Sequence, residues 1–296
     1  MNDIHEQDIV NLHVRVPTAK LLVRVRGDGR PVVLLHGGGP GTSSCDWMDC
    51  MAVMPAGLQC YALDFPGFGG SDPLPQGEEY GGPAFAQAAA ECLETLGLGP
   101  VTLVGHSMGA AVAATLALQR PDLVGHLVLV SPGGAFYGLT GYHSAGMGEI
   151  ARAVEQPDEE RLRALVALMC DQQRGQAGQV ERRLRTLANP VVIEVQRTMH
   201  SKRAAASPAA AEERAAMGRR MREYAGPVTL VAGLAERFNP VELAERIRER
   251  LPAHAGYHAI PDAGHNVQCD QPEVTARILA DAAFAGAWRD LPAPSL

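Results

Sequence analysis

The sequence predicts an α/β fold: a doubly wound, mostly parallel sheet with a helical cap inserted between two of its strands. Three observations carry that expectation. Short apolar runs alternate with helical stretches over residues 31–130, the strand pattern lapses over residues 135–222, and it resumes at Pro227. Alternating strands and helices with short connections are what a parallel sheet covered on both faces requires. A chain of 296 residues, 46% of them hydrophobic, is long enough for a single large core.

The elements follow in order. Residues 9–26 alternate apolar and polar around Pro17-Thr18, as an antiparallel hairpin does. Gly27-Asp28-Gly29 turns the chain into Pro31-Val32-Val33-Leu34-Leu35, a continuous apolar run suited to a strand buried on both faces. A glycine loop at residues 36–41 and a helix near residues 47–54 come next, then a strand at Cys60-Tyr61-Ala62-Leu63-Asp64 and a helix over residues 84–96. Pro100-Val101-Thr102-Leu103-Val104 reads as a buried strand, residues 110–120 as a helix, and His126-Leu127-Val128-Leu129-Val130 as a further strand. Beyond Ser131-Pro132-Gly133-Gly134 only helices are predicted, over residues 159–170, 180–187, 191–199 and 209–222. Asn189-Pro190 and Ser207-Pro208 supply helix starts. A strand at 227–232, a helix at 241–250, a strand at 255–260, a loop at 261–271 and a helix at 272–285 close the chain. Residues 291–296 are expected to fray. The expected division is a core of residues 1–134 and 223–296, with a cap of residues 135–222 over its functional edge.

Composition removes several classes of function. The formal charge is −7 and the basic residues are scattered, so no nucleic-acid partner is expected. The polar, acidic start at residues 1–8 does not resemble a signal peptide, and no apolar run reaches bilayer length. No membrane partner is expected, and a cytoplasmic location is. Cysteines 45, 50, 60, 92, 170 and 269 form no C-x-x-C pair, which suits buried free thiols in a reducing compartment. His254 and His258 are four apart, but Gly256 lies between them in a predicted strand, so no metal site is expected.

Gly105-His106-Ser107-Met108-Gly109 carries the chemistry. It joins a strand directly to a helix, and strand, sharp turn and helix with serine at the apex make a G-x-S-x-G match a nucleophile elbow. A serine hydroxyl needs a base to take its proton. His265, in the loop after the last strand, is the best candidate, because loops at the carboxyl ends of parallel strands converge on one sheet edge. The imidazole in turn needs a carboxylate. Glu236 is the only one in Gly233-Leu234-Ala235-Glu236-Arg237-Phe238-Asn239-Pro240; if it merely pairs with Arg237, Asp262 or a carboxylate elsewhere must serve, or the triad is incomplete. The backbone of His36-Gly37-Gly38-Gly39-Pro40-Gly41 can aim the Gly38 N–H at a developing oxyanion, with the Met108 N–H as second donor. This glycine loop lacks the lysine of a phosphate-binding P-loop.

These motifs, with Asp64-Phe65-Pro66-Gly67-Phe68-Gly69-Gly70-Ser71-Asp72, resemble the α/β-hydrolase superfamily over nearly the whole chain. Within it the resemblance is to meta-cleavage product hydrolases, which cleave a carbon–carbon bond in vinylogous diketones. It rests on the HGGGPG loop, the G-H-S-M-G elbow, Pro132-Gly133-Gly134 and Gly264-His265-Asn266-Val267-Gln268. The resemblance implies an α/β-hydrolase fold, a small-molecule substrate and no cofactor, and it leaves a homo-oligomer open. It also exposes departures. Glu236 stands where that family carries aspartate, and Trp47 replaces a polar asparagine after the glycine loop. Ala188 falls at the carboxylate-binding arginine of the cap, with Arg185 one turn away. Asn266-Val267-Gln268-Cys269 replaces a tryptophan-rich stretch. Gly39, Trp47, Arg185 and Asn266 are therefore the expected substrate-reading positions.

The favoured function is serine-dependent hydrolysis of a small, largely apolar carbonyl compound, by C–C cleavage of a meta-cleavage-type diketone or related ketone. Ester or lactone hydrolysis is the alternative, and a non-hydrolytic binding or cyclisation role on the same fold is another. A peptidase reading, with Asp158, Glu159 and Glu160 anchoring a substrate amine, stands third.

Overall fold

The computed structural model describes residues 8–134, 136–137, 144, 146–204, 208–240 and 242–285. The expected fraying at 291–296 and nearly all of the polar N-terminal stretch lie outside them. Eight strands build the sheet: β1 (Val10–Arg15), β2 (Lys20–Gly27), β3 (Gly29–Leu35), β4 (Gly57–Leu63), β5 (Val101–His106), β6 (Val124–Val130), β7 (Val228–Gly233) and β8 (Gly256–Ile260). Their order is β1-β2-β4-β3-β5-β6-β7-β8. The β1–β2 and β2–β4 pairs are antiparallel and the rest parallel, with Leu34 opposite Val104, Val104 opposite Val128, and Val130 opposite Val231. The sheet is thus mostly parallel, with its antiparallel part confined to one edge.

The continuous apolar strands serve two cores at once, because successive side chains point to opposite faces. Val33 and Leu35, Leu103, Leu127 and Leu129, and Leu230 join one buried cluster. Val32 and Leu34, Val104, Val128 and Val130, and Val231 join the other. Against the first face pack α2 (Gly82–Thr95) and α3 (Met108–Gln119), and against the second α1 (Met48–Ala52) and the C-terminal α11 (Pro272–Ala285). Helix α3 is apolar on every side and buried from Gly109 to Ala114, as its place beneath the sheet edge demands.

Between β6 and β7 the chain forms α4 (Gly146–Glu155), α5 (Glu159–Met169), α6 (Gln173–Leu187), α7 (Pro190–Ala204) and α8 (Pro208–Arg222), and no strand among the described residues. Helix α4 is not predicted by the sequence, and α6 begins seven residues before the predicted start. The expected loop at 261–271 contains a short helix, α10 (Val267–Asp270), and α9 (Glu242–Arg248) precedes β8. Leu165, Val166, Met169 and Val180 form a third apolar cluster that joins the sheet domain through Phe238 and Cys269. No helix among the described residues is long and apolar enough to cross a membrane.

Candidate active site

The elbow is built by close backbone approach. Strand β5 ends at His106, α3 begins at Met108, and Ser107 between them is held at φ 51 and ψ −112. A side chain there is strained by about 1–3 kcal/mol. Its backbone is fixed on both sides: Ser107 N–H donates to Val130 O at 3.0 Å, and Gly133 N–H donates to Ser107 O at 3.1 Å. Neither flanking glycine could carry a Cβ. At Gly105 it would lie 2.2 Å from Gly109 O, and at Gly109 2.5 Å from His36 O. The two glycines let helix, elbow and glycine loop approach more closely than side chains allow.

Ser107 Oγ lies 2.9 Å from His265 Nε2, and His265 Nδ1 lies 2.9 Å from Glu236 Oε2. The imidazole is fully buried and the carboxylate nearly so. Asn239 Nδ2 also approaches His265 Nδ1, at 3.3 Å. Two donors cannot share that contact, and the shorter, charge-assisted bond to Glu236 decides it: Nδ1 carries the proton and Nε2 faces the serine with its lone pair. Glu236 does not pair with Arg237, which reaches Ala167 O, Cys170 O and Asp171. Its second oxygen, Oε1, accepts the N–H groups of Phe238 at 2.9 Å and Asn239 at 3.0 Å. The extra methylene of glutamate lets the side chain fold back on its own turn while still reaching the histidine. Asp262 is not in this chain of contacts; its carbonyl accepts from Gln172 and Gln271.

Further contacts support the histidine. The Phe238 ring stacks on the imidazole at 4.6 Å between centroids, and His106 Nε2–H donates to His265 O at 3.0 Å. Tyr137 Oη donates to Asn239 Oδ1 at 2.9 Å. Gly38 abuts Met108, since a Cβ on it would lie 3.2 Å from the Met108 sulfur. As the first residue of α3, Met108 has an N–H without an intrahelical acceptor. The glycine loop itself is held by His36, whose Nε2 accepts Phe65 N–H at 3.1 Å while Nδ1–H donates to Gly37 O at 2.7 Å. Asp64 accepts the Ser44 and Gly70 N–H groups, and a Cβ on Gly69 would lie 2.0 Å from its Oδ2, which accounts for the aspartate and that glycine of the motif.

Above these groups lies a cleft with about 640 Å³ of empty space, part of it open to solvent. Gly38, Gly39, Ser107 and Met108 form its floor, and Met147, Ile150, Val154, Gln196, Met199 and His200, from α4 and α7, its roof. Phe68, Tyr137 and Phe238 complete the wall, and among the described residues no lysine, arginine or carboxylate lines it.

Three of the four expected substrate-reading residues are elsewhere. Gly39 lines the cleft. Trp47 is fully buried in the second core, edge-on to His106 at 6.4 Å, so it supports the residue beneath the base instead of meeting a ligand. Arg185 is 63% exposed and pairs with Glu181 on the outer face of α6. Asn266 is fully buried in the seam between cap and sheet, donating to Met169 O and to the Cys170 sulfur. The buried arginine of α6 is Arg183, 1% exposed, which donates to Pro40 O at 3.0 Å and lies 3.9 Å from Asp46. It packs against the glycine loop, with Nη1 3.7 Å from where a Cβ on Gly39 would stand. The acidic residues of the peptidase reading are on the surface, with Asp158 capping α5 and Glu159 paired with Arg163.

The six cysteines are free thiols, and burial pushes Cys60, Cys92 and Cys170 up to about 12, which keeps them protonated and unreactive. Burial holds His36, His126 and, most strongly, His106 below the usual imidazole value of 6.5; at His106 the neighbouring His265 adds to it. The unfolded chain therefore takes up protons below pH 6.5 that the native state refuses. Stability is expected to fall as pH drops from 6.5 towards 5, by up to about 1.4 kcal/mol per pH unit per histidine. Asp46 and Asp270, raised above 3.8 by burial, oppose this at lower pH. Denaturant midpoints between pH 7.5 and 5 check the prediction, and a flat profile contradicts it.

A family model described as the alpha/beta hydrolase fold matches residues 30–272. A 2-hydroxy-6-oxononadienedioate/2-hydroxy-6-oxononatrienedioate hydrolase of Comamonas testosteroni is 26% identical over 289 residues, covering 94% of this chain and 93% of that one. A 2-hydroxy-6-oxo-6-phenylhexa-2,4-dienoate hydrolase of Burkholderia cepacia matches at the same identity and coverage. Among solved structures, a hydrolase of the latter description from Rhodococcus sp. strain RHA1 superimposes with a TM-score of 0.79 at 20% identity, over 94% of this chain and 99% of that one, a likeness of fold.

Proposed function

The chain belongs to the α/β-hydrolase fold family, and from that premise we propose that it is a serine-dependent hydrolase of a small, largely apolar carbonyl compound. The observation that carries this reading is the unbroken line from Ser107 Oγ through His265 to Glu236, 2.9 Å at each step, opening into an apolar cleft. In this mechanism His265 Nε2 takes the Ser107 proton as Oγ attacks the carbonyl carbon. The oxyanion receives the Gly38 and Met108 N–H groups, each such donor contributing about 2.7–4 kcal/mol. Collapse expels the leaving carbon or oxygen, which takes the proton from His265, and water then hydrolyses the acyl-enzyme by the same route. Glu236 keeps the proton on Nδ1 and stabilises the imidazolium. Residues 1–134 and 223–296 act as the catalytic core and residues 135–222 as a cap that excludes water.

C–C cleavage of a diketone or related ketone is the favoured reaction, supported by the two dienoate hydrolases that match nearly end to end. The substrate is expected to present a neutral surface to the cleft, because Arg183 is engaged by Pro40 and Asp46 and Arg185 faces outward. Two assays test the proposal. A fluorophosphonate is expected to label Ser107 stoichiometrically, as read by peptide mass. Neutral vinylogous 1,5-diketones assayed beside p-nitrophenyl esters are expected to show faster turnover of the diketones. Faster ester turnover moves the assignment to C–O cleavage, and no label with no turnover of either class rejects it.

A further inference from the structure

One peptide group of the glycine loop is held at both ends by the cap. Arg183 Nη1, on α6, donates to Pro40 O at 3.0 Å, and Gln196 Oε1, on α7, accepts Gly41 N–H at 3.3 Å. The carbonyl and N–H of a trans peptide point in opposite directions, so the two helices grip the Pro40–Gly41 peptide from opposite sides. That peptide is the centre of a β-turn, which Thr42 N–H closes by donating to Gly39 O at 3.3 Å. Proline in second place and glycine in third, with φ 70 at Gly41, make the turn type II. Type I differs from it by a flip of the central peptide, so the clamp selects between the two. The loop's own bonds lie elsewhere: His36 holds Gly37 O, and Thr42 holds Gly39 O. Among the described residues, the Pro40–Gly41 peptide is bonded from the cap alone. Packing acts in the same sense. A Cβ on Gly41 would lie 2.5 Å from Arg183 O, so the backbone of α6 rests on the turn. The Arg183 guanidinium is 1% exposed, and burying such a charge is costly. It nevertheless bonds the neutral Pro40 carbonyl, while the Asp46 carboxylate stands off at 3.9 Å.

We infer that Arg183 and Gln196 are positioning residues for the oxyanion hole: by clamping the Pro40–Gly41 peptide they fix the aim of the Gly38 N–H. This rests on the proposed function for the role of Gly38, while the clamp is a feature of the fold. Gly38 is joined to the clamped turn through Gly39, whose φ of 116 belongs to a residue with little stiffness of its own. An N–H stabilises a developing oxyanion only when it points at that oxygen, and a small misplacement forfeits the effect. A loop released from the cap therefore loses stabilisation of the oxyanion, while the apolar cleft keeps its hold on the ground state of the ligand. Neither side chain has to touch the ligand for this.

The test compares two ligands that differ in whether they form an oxyanion. With 1,1,1-trifluoro-4-phenylbutan-2-one, Ser107 Oγ bonds to the carbonyl carbon, the C=O π pair becomes the oxyanion, and the serine proton passes to His265 Nε2. With 4-phenylbutan-2-one the carbonyl stays intact and reports the ground state. Dissociation constants of both are measured by calorimetry, beside a thermal melt of each variant. In Arg183→Met and Gln196→Met the trifluoromethyl ketone is expected to bind about tenfold more weakly or worse, and the plain ketone within about threefold of wild type. Gln196→Glu keeps an acceptor for Gly41 N–H and is expected to stay within about threefold of wild type for both ligands. Arg183→Met strips Asp46 of its neighbouring cation; if that protein does not fold, Gln196→Met, which alters no charge, decides alone. Equal weakening of both ketones in Gln196→Met overturns the inference, as does unchanged affinity for the trifluoromethyl ketone or a Gln196→Glu protein as weak as Gln196→Met. Failure of the hydrolase reading appears separately, as wild-type protein that takes no fluorophosphonate at Ser107 and binds the two ketones alike.

Discussion

Ser107→Ala is expected to lower kcat by about 10⁴ to 10⁶-fold while changing KM little, since it removes the attacking atom and leaves the cleft intact. The magnitude follows from how completely the site is organised around that oxygen. His265 Nε2 faces it at 2.9 Å, and Gly133 and Val130 pin the backbone that carries it. Alanine at φ 51 carries the same backbone strain as serine, so the substitution leaves stability within about 0.5 kcal/mol. Steady-state kinetics with a thermal melt check both parts. Activity within tenfold of wild type in a correctly folded variant rejects Ser107 as the nucleophile.

Glu236→Gln is expected to cost about 10⁴-fold in kcat, and more than Glu236→Asp, through the tautomer of His265. The Phe238 and Asn239 N–H groups both bind Oε1, so a glutamine must keep its oxygen there. Its NH₂ then faces Nδ1 and donates to it, which forces the imidazole proton onto Nε2, facing Ser107. A base holding its proton on that side cannot accept another. The loss resembles that seen when an aspartate in such a triad is replaced by its amide. Aspartate retains the charge but is one methylene short, and a misplacement of that order costs about 10²-fold. Kinetics of both variants, with the imidazole ¹⁵N shifts that report the tautomer, decide the matter. A glutamine variant more active than the aspartate variant contradicts the orientation argument.

The chemistry-bearing positions were legible because each is written into a local pattern. Ser107 follows a buried strand and precedes an alanine-rich helix, and His265 lies in the loop after the last strand. Glu236 is the only carboxylate in its turn. Those patterns arise from backbone requirements, namely a tight turn, a glycine where helix meets loop, and a strand end at the sheet edge, and such requirements are local. The substrate-reading positions were not legible in the same way. Arg183 shares its helical face with Val180, Leu184 and Leu187, at spacings of three and four, so its burial follows from the phase of that stripe. Arg185, two residues on, is on nearly the opposite side.

The start of α6 shows a second limit. Residues 173–178 hold no large apolar side chain and contain Gly175 and Gly178, which weaken the helix by propensity. Asp270 makes the helix entry possible from far away in sequence. Its oxygens accept Asp171 N–H at 2.8 Å and Gln172 N–H at 3.0 Å, and a third bond comes from Gly264 N–H at 2.8 Å. Gln179 then packs its amide on the Cys269 sulfur. No window of local sequence contains these partners.

By itself, then, the sequence determined the strand order's raw material, the elbow and the identity of the residues that meet there, because hydrophobic period and turn chemistry act over a few residues. Only the tertiary structure decided which side chains face the cleft. Trp47 and Asn266 are drawn into packed seams, and Arg183 is spent on the glycine loop. Gln196 is left with one amide branch bonded and the other free of any partner among the described residues. Those outcomes depend on how the cap helices settle against a sheet edge, and that is a matter of shape and burial between segments distant in the chain.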